Sequence, residues 1–269
     1  MIIEIDSLEN YEDFIKDISI DQCFSDPHFS YDSGNLYRAL EKKNQRVYVT
    51  KQNGVVTGIY AWLVIPEEQY VELIVGLSRR RESWEEMLSF IETQNPNLKM
   101  DFVINPQNKV LIDILKSKQA TFEEETKKLR LVRRTELNIN GKVEELSEKY
   151  KDQYLSLHNK DTYWTGERVL ETKDRFRVLV AIEHEEVVGY LDITSSFPEN
   201  EPYDLFTKEG FKEYRKALIS KAIELNKPKG MMVQVEANNT EDISTYVSLG
   251  FDAIKGSDSI YVYYKMQQG

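Results

Sequence analysis

The chain is poor in the residues that staple or punctuate small folds. It has a single cysteine, Cys23, so no internal disulfide forms and a cysteine-rich metal site is excluded. The three histidines, His28, His158 and His184, lie far apart with no H-x-x-x-H spacing, so no metal site is expected. Long apolar runs are missing as well. The longest, Gly58 to Ile65, falls far short of the ~20 residues that span a bilayer, and no membrane partner is expected. The start, Met1-Ile2-Ile3-Glu4-Ile5-Asp6, has no basic stretch and reads as a strand rather than a signal peptide, which points to a cytoplasmic protein. Basic charge is in the minority: Asp and Glu outnumber Lys and Arg 46 to 35, a formal charge of -11. The longest basic cluster, Arg79-Arg80-Arg81, runs straight into Glu82, Glu85 and Glu86, so nucleic acid is not an expected partner.

What is present is enough apolar surface for packed cores, with 41% hydrophobic and 11% aromatic residues. A length of 269 residues suggests two domains. An internal repeat supports them. Arg46-Val47-Tyr48-Val49 with Gly54 to Ile59 matches Arg177-Val178-Leu179-Val180 with Glu185 to Tyr190, 131 residues on without a gap. Just upstream, Tyr31-Asp32-Ser33-Gly34 matches Tyr163-Trp164-Thr165-Gly166 at an offset of 132. The expected division is 1–134 and 135–269, meeting near Arg133 to Leu137.

Each half carries one order of elements. In the second, Val143, Leu146, Tyr150, Tyr154 and Leu157 recur at helical spacing, and Thr165 is placed to cap a short helix. Strands follow at 177–182, 186–194 and 203–207, then a helix over 211–225. A strand at 231–236, a helix over 239–249 ended by Gly250, and a strand at 259–265 complete it. In the first half Asn53-Gly54 marks a tight hairpin, Trp84, Leu88 and Ile91 line a helix, and 99–104 is a strand. The fold class is α/β with mixed sheets.

Chemistry is concentrated between Leu205 and Ala222, a strand, short turn and helix. Unpaired amides and the positive end of a helix dipole at such a turn suit a diphosphate. Further on, Asn239 to Phe251 puts a tyrosine, Tyr246, on a helix after a strand. This stretch resembles the N-x-x-A-x-x-x-Y-x-x-x-G-F segment of the GCN5-related N-acetyltransferases, with Asp242 in place of the usual Ala. The resemblance extends over nearly the whole chain as a tandem of two acyl-CoA N-acyltransferase-like domains.

By that resemblance the protein transfers an acetyl group from acetyl-CoA to a small amine. Tyr246 would protonate the departing thiolate, a phenol of pKa near ~10 against a thiol of roughly 8.5. Asn239 would lie near the cofactor, and backbone amides of the 203–207 strand would hold the oxyanion. The family's diphosphate loop, [QR]-x-x-G-x-[GA], falls on Gly210-Phe211-Lys212-Glu213-Tyr214-Arg215, so Phe206, Thr207, Gly210, Phe211, Lys212, Tyr214 and Arg215 are the expected cofactor contacts. Here Glu213 and Arg215 replace glycines, and a carboxylate near a diphosphate is repulsive. The first half departs further: Arg80-Arg81-Glu82-Ser83-Trp84-Glu85 has Ser83 and Glu85 at the glycine positions, and no Tyr stands between Pro106 and Phe122. The second domain is therefore the candidate catalytic one.

Asp204 and Glu236 are candidate general bases, with solvated or capping carboxylates as the alternative for each. Tyr163 and Trp164 stand where the family's acceptor wall forms, or fill a domain interface. His158, at an expected helix C-terminus, reads as a dipole partner, and Ser156 and Ser195 have no triad partners. The competing reading is a non-catalytic member of the fold that binds a ligand or partner. An aminoacyl transferase of the same doubled fold is a third.

Overall fold

The computed structural model describes residues 1–21, 23–133 and 142–265; the expected meeting point at 134–137 lies outside the described residues. The chain opens with β1 (Ile2–Ile5), α1 (Glu12–Ser19), α2 (Pro27–Tyr31), α3 (Gly34–Ala39), β2 (Gln45–Gln52), β3 (Val55–Ile65) and β4 (Tyr70–Leu77). Next come α4 (Arg81–Gln94), β5 (Lys99–Ile104), α5 (Lys109–Ser117), β6 (Thr121–Leu131), β7 (Lys142–Glu145), α6 (Lys151–Leu157) and α7 (Gly166–Glu171). After these follow β8 (Phe176–Glu183), β9 (Glu186–Thr194), β10 (Glu199–Asn200), β11 (Pro202–Thr207) and α8 (Tyr214–Leu225). β12 (Gly230–Glu236), α9 (Thr240–Ser248), β13 (Phe251–Ala253) and β14 (Ser259–Lys265) end the chain.

Two compact units result, and they are not contiguous halves. The first comprises Met1–Lys127 with Glu236–Asn238 and the residues from Ile254 on, the second Lys128–Val235 with Asn239–Ala253. The closing strand β14, placed by sequence in the second half, pairs antiparallel with β5 and with the start of β6, and so completes the first unit's sheet.

In unit 1 the sheet is sandwiched. Trp84, Leu88, Ile91, Leu111 and Leu115 cover Trp62 and Phe102 on one face. Ile15, Ile18 and Leu36 cover Val47, Ile59, Ala61 and Val75 on the other. The alternation along β3 follows from the period of two in a strand. Asn53 and Gly54, both with positive φ, make the expected tight turn between β2 and β3. In unit 2, β11-β9-β8-β7 form a four-stranded sheet. Its one face packs on Leu218, Ile219 and Ala222 of α8, its other on Tyr150, Tyr154 and Val169.

The repeat read from sequence holds in the strand register. Val47 pairs with Ala61 and Val49 with Ile59; 131 residues on, Val178 pairs with Asp192 and Val180 with Tyr190. Even a bulge is repeated: β4 skips Ile74 opposite Ala61 and Trp62, and β11 skips Tyr203 opposite Asp192 and Ile193.

Two local expectations differ. Val143 sits in the edge strand β7, and a helix begins only at Lys151, because backbone pairing to β8 takes the residues before it. The helix expected from 211 starts at Tyr214, since Phe211 and Tyr214 amides close tight turns rather than a helical ladder.

Candidate active site

In both units the two central parallel strands pair briefly and then part. β4 pairs with β5 only from Tyr70 to Leu73. In unit 2, β10 pairs with β12 at Glu199 and Asn200, after which β11 turns to the other sheet and pairs with β9. What stands at the parting differs.

In unit 1 the place is filled from within. Asp26, which heads α2, accepts the Gly76 amide at 2.9 Å as well as those of His28 and Phe29. His28 Nδ1 contacts the carbonyl of the bulged Ile74 at 2.9 Å, and Asn105 donates to Ser25. Burial pushes the Asp26 carboxyl up, against the pull of His28 and the three amides. The turn into α4 is equally occupied. Ser83, where the resemblance expects glycine, has its hydroxyl 2.5 Å from Thr50 and 2.7 Å from that of Tyr60. Arg79 is held by Asp17 and Asp21, and Arg80 by Gln52.

In unit 2 the same level of the sheet carries a buried polar cluster. Tyr190 and Asp192 are two apart on β9 and share a face, as do Asp204 and Phe206 on β11. His158, at the end of α6, places Nε2 2.8 Å from Asp192 and 3.6 Å from Asp204. Tyr154 donates to Asp192 at 3.0 Å and Tyr190 to Asp204 at 2.9 Å. The imidazole stacks on Tyr190, which stacks on Phe206. Asp192 is fully buried, whereas the Asp204 side chain is 28% exposed.

His158 Nδ1 faces the Asn159 carbonyl at 2.9 Å, so both ring nitrogens meet acceptors. Burial alone would lower the imidazole pKa; the bonds to Asp192 and Asn159 reverse this, and the net direction is up. Burial likewise raises Asp192 against its hydrogen bonds from His158 and Tyr154. The donor atoms of His158, Asp192 and Asp204 lie close enough for a metal ion, a grouping the sequence spacing did not suggest.

The expected diphosphate loop is less open. Gly210 has φ +86, which glycine alone adopts without strain, and open space where a Cβ would be. The amides of Phe211, Tyr214 and Arg215, however, donate to the carbonyls of Lys208, Phe211 and Lys212, each at 3.1 Å. Tyr214 donates its hydroxyl to Glu183, and Lys212 pairs with Glu241. Arg215 binds Asp242 at 2.6 Å, so two departures from the family pattern, one on α8 and one on α9, form a single ion pair. Asn239 caps α9, accepting the Asp242 amide, and is not free for a cofactor.

Tyr246 is 4% exposed, with its ring edge-on to Phe251. Burial pushes its phenol well above the ordinary range, with Asp242 adding to this and Arg215 opposing it, so it is a poorer acid than sequence alone suggests. Glu236 is exposed at the end of β12. Thr207 closes β11 opposite Gly189. Trp164 touches both Tyr163 and Phe176, and Tyr163 is 72% exposed.

Sequence reasoning assigned His158 to a helix dipole and passed over Asp192, Tyr154 and Tyr190. The signal was available: Asp192 is the one charge within the apolar run Val187 to Ile193, and its repeat partner is Ala61.

No family model matches the chain, and no curated protein matches it. Solved structures do. A tandem GNAT protein from the clavulanic acid biosynthesis pathway superposes with a TM-score of 0.51 at 10% identity, over 100% of this chain and 99% of its own. A GCN5-related N-acetyltransferase from Sphaerobacter thermophilus gives 0.54 at 8% identity over 84% and 82%. A conserved protein of unknown function from Staphylococcus epidermidis gives 0.57 at 10% identity over 78% and 91%. Strand register repeated in both units and a tandem neighbour matched from end to end lead to one conclusion: this chain has a doubled GCN5-related N-acetyltransferase fold.

Proposed function

We propose that unit 2 transfers an acetyl group from acetyl-CoA to a small amine, with Asp204 as the base. The observation that carries this reading is the buried Tyr154–Asp192–His158–Asp204–Tyr190 cluster at the parting of β11 from β12, with Asp204 its solvent-reaching end. Buried carboxylates are costly even when hydrogen-bonded, and a cluster of them with displaced pKa values marks a candidate functional site. The amine nitrogen attacks the thioester carbonyl, a C–N bond forms and the C–S bond breaks. The amine proton passes to Asp204, and the thiolate leaves to be protonated as free coenzyme A. Amides of β11 are the candidate oxyanion donors, and Gly210 with Lys212 the accessible groups for the diphosphate. Because Tyr246 is buried and weakly acidic, it is secondary in this scheme.

The test is a melting-temperature shift with acetyl-CoA, followed by thiol release with a panel of amines. The wild type should be stabilised, and Asp204→Asn should keep the shift while losing turnover by about a hundredfold. No shift at millimolar acetyl-CoA would leave the non-catalytic, ligand- or partner-binding reading. The inward-bonded loop amides and the Arg215–Asp242 pair favour that second reading.

A further inference from the structure

Arg175 immediately precedes β8, and its guanidinium lies 4.8 Å from the ring centre of Trp164, 5.4 Å from Phe197 and 5.6 Å from Phe176. Its Nε is buried and has no acceptor, and no ion pair engages this cation among the described residues. A buried guanidinium nitrogen without an acceptor, beside exposed aromatic rings, marks a place where an absent group can bind.

The rings around it form a continuous surface. Tyr163, Trp164, Phe176 and Tyr203 touch in series at 5.3, 5.0 and 5.9 Å between centres. Of these Tyr163 is 72% and Tyr203 41% exposed, and Phe197 beside Arg175 is 41% exposed. Tyr203 is the bulged residue next to Asp204, and its phenol lies within the field of both Asp204 and Arg175. In register, Arg175 bonds to Ser195 and Asp204 pairs with Asp192, so the cation and the base stand at one end of one sheet with β9 between them. Three strand residues and two strand spacings separate their backbones, about 10 Å in each direction, and a long arginine side chain covers much of that gap.

We infer that this patch is the acceptor subsite and that the acceptor is an amino carboxylate with a flat apolar side chain. Its carboxylate sits side-on against the Arg175 Nε and one Nη, the geometry in which a guanidinium makes two parallel bonds. Its side chain lies on the rings of Trp164 and Tyr203, and its amine reaches Asp204. The inference rests on the proposed role of Asp204 but not on the acyl donor, so it is tested by binding without one.

Isothermal titration with L-phenylalanine, phenethylamine and hydrocinnamate separates the three contacts. L-Phenylalanine should bind the wild type about tenfold tighter than phenethylamine, which lacks the carboxylate, and tighter than hydrocinnamate, which lacks the amine. Arg175→Gln should erase the first preference and leave phenethylamine binding unchanged, while Arg175→Lys should keep part of it. Asp204→Asn should erase the preference over hydrocinnamate. Equal affinity of the wild type for L-phenylalanine and phenethylamine, or no binding of L-phenylalanine at millimolar concentration, overturns the inference whatever the variants do. If acetyl-CoA fails to bind while this pattern holds, the acyl-transfer reading falls and the subsite stands.

Discussion

Units 1 and 2 share a register but not a chemistry. Across β2, β3 and β4 the aligned triple is Val47, Ala61 and Val75, all buried and apolar. Across β8, β9 and β11 the same positions hold Val178, Asp192 and Asp204. The neighbouring pair Ile59 and Leu77 likewise becomes Tyr190 and Phe206. Unit 1 closes its strand parting with its own Asp26 and His28, whereas His158, at nearly the same repeat position as Asp26, turns to the two carboxylates. The fold does not need carboxylates on the strands at this level of the sheet, since unit 1 has Val47, Ala61 and Val75 there. Their presence in unit 2 is therefore a cost carried for another purpose.

The most forceful way to break the comparison is to move one carboxylate across. Ala61→Asp puts a charge into an apolar core that includes Val47, Ile59 and Val75. Unit 1 should lose about 3–5 kcal/mol in urea unfolding, the cost of an uncompensated buried charge. A loss below about 1 kcal/mol would show that unit 1 already tolerates polarity there, and the contrast between the units would carry no weight.

A smaller effect concerns pH. The folded His158 pKa lies above the ordinary value of about 6.5, so the stability it contributes is complete below that pH and fades as pH rises through the folded value. Asp192, also raised in the folded state, acts in the same sense. Asp204 faces the same pair and its charge favours retention of the proton, whereas the Tyr154 hydroxyl, donating to Asp192, opposes it; Tyr190 donates to Asp204. The melting temperature of unit 2 should fall on going from pH 6 to above neutrality, with the His158 ring titrating above 6.5 by NMR. A ring titrating below about 6.5 would reverse the sign of the His158 contribution.

Much of this was legible in the chain. The 131-residue repeat reappears in the strand register of both units, and Asn53-Gly54, Lys99–Ile104 and Ser259–Lys265 fall where turn and alternation signals put them. Alternation reports which face of a strand is buried, so it works wherever burial is the only demand. It cannot say which sheet a strand joins, and β14 completes unit 1 instead of the half that precedes it. It also cannot show which polar groups meet. His158, Asp192 and Arg175 act through neighbours distant in sequence, and each looks ordinary alone. Tyr163, Trp164 and Asp204 are candidates because the family resemblance points to them. The same resemblance pointed to Arg215, Asn239 and Tyr246, which the structure engages in a pair, a cap and a core.

The finest test asks whether the α8 turn was altered for packing or for a ligand. Arg215 and Asp242 are each 21% exposed and 2.6 Å apart, so their coupling should be modest, about 1 kcal/mol in a double-mutant cycle of Arg215→Gly and Asp242→Ala. The double variant restores a glycine where the family's turn has one and removes the α9 carboxylate that faces it. If the pair merely replaced the cofactor as the partner of this surface, the double variant should bind acetyl-CoA more tightly than the wild type, by several-fold in a thermal-shift titration, and each single variant less so. Equal affinity in all four proteins would mean that the inward-bonded amides of Phe211 and Tyr214, not the charges, decide whether unit 2 accepts a diphosphate; the difference between the units would then lie in the backbone of the turn as well as in the cluster beneath it.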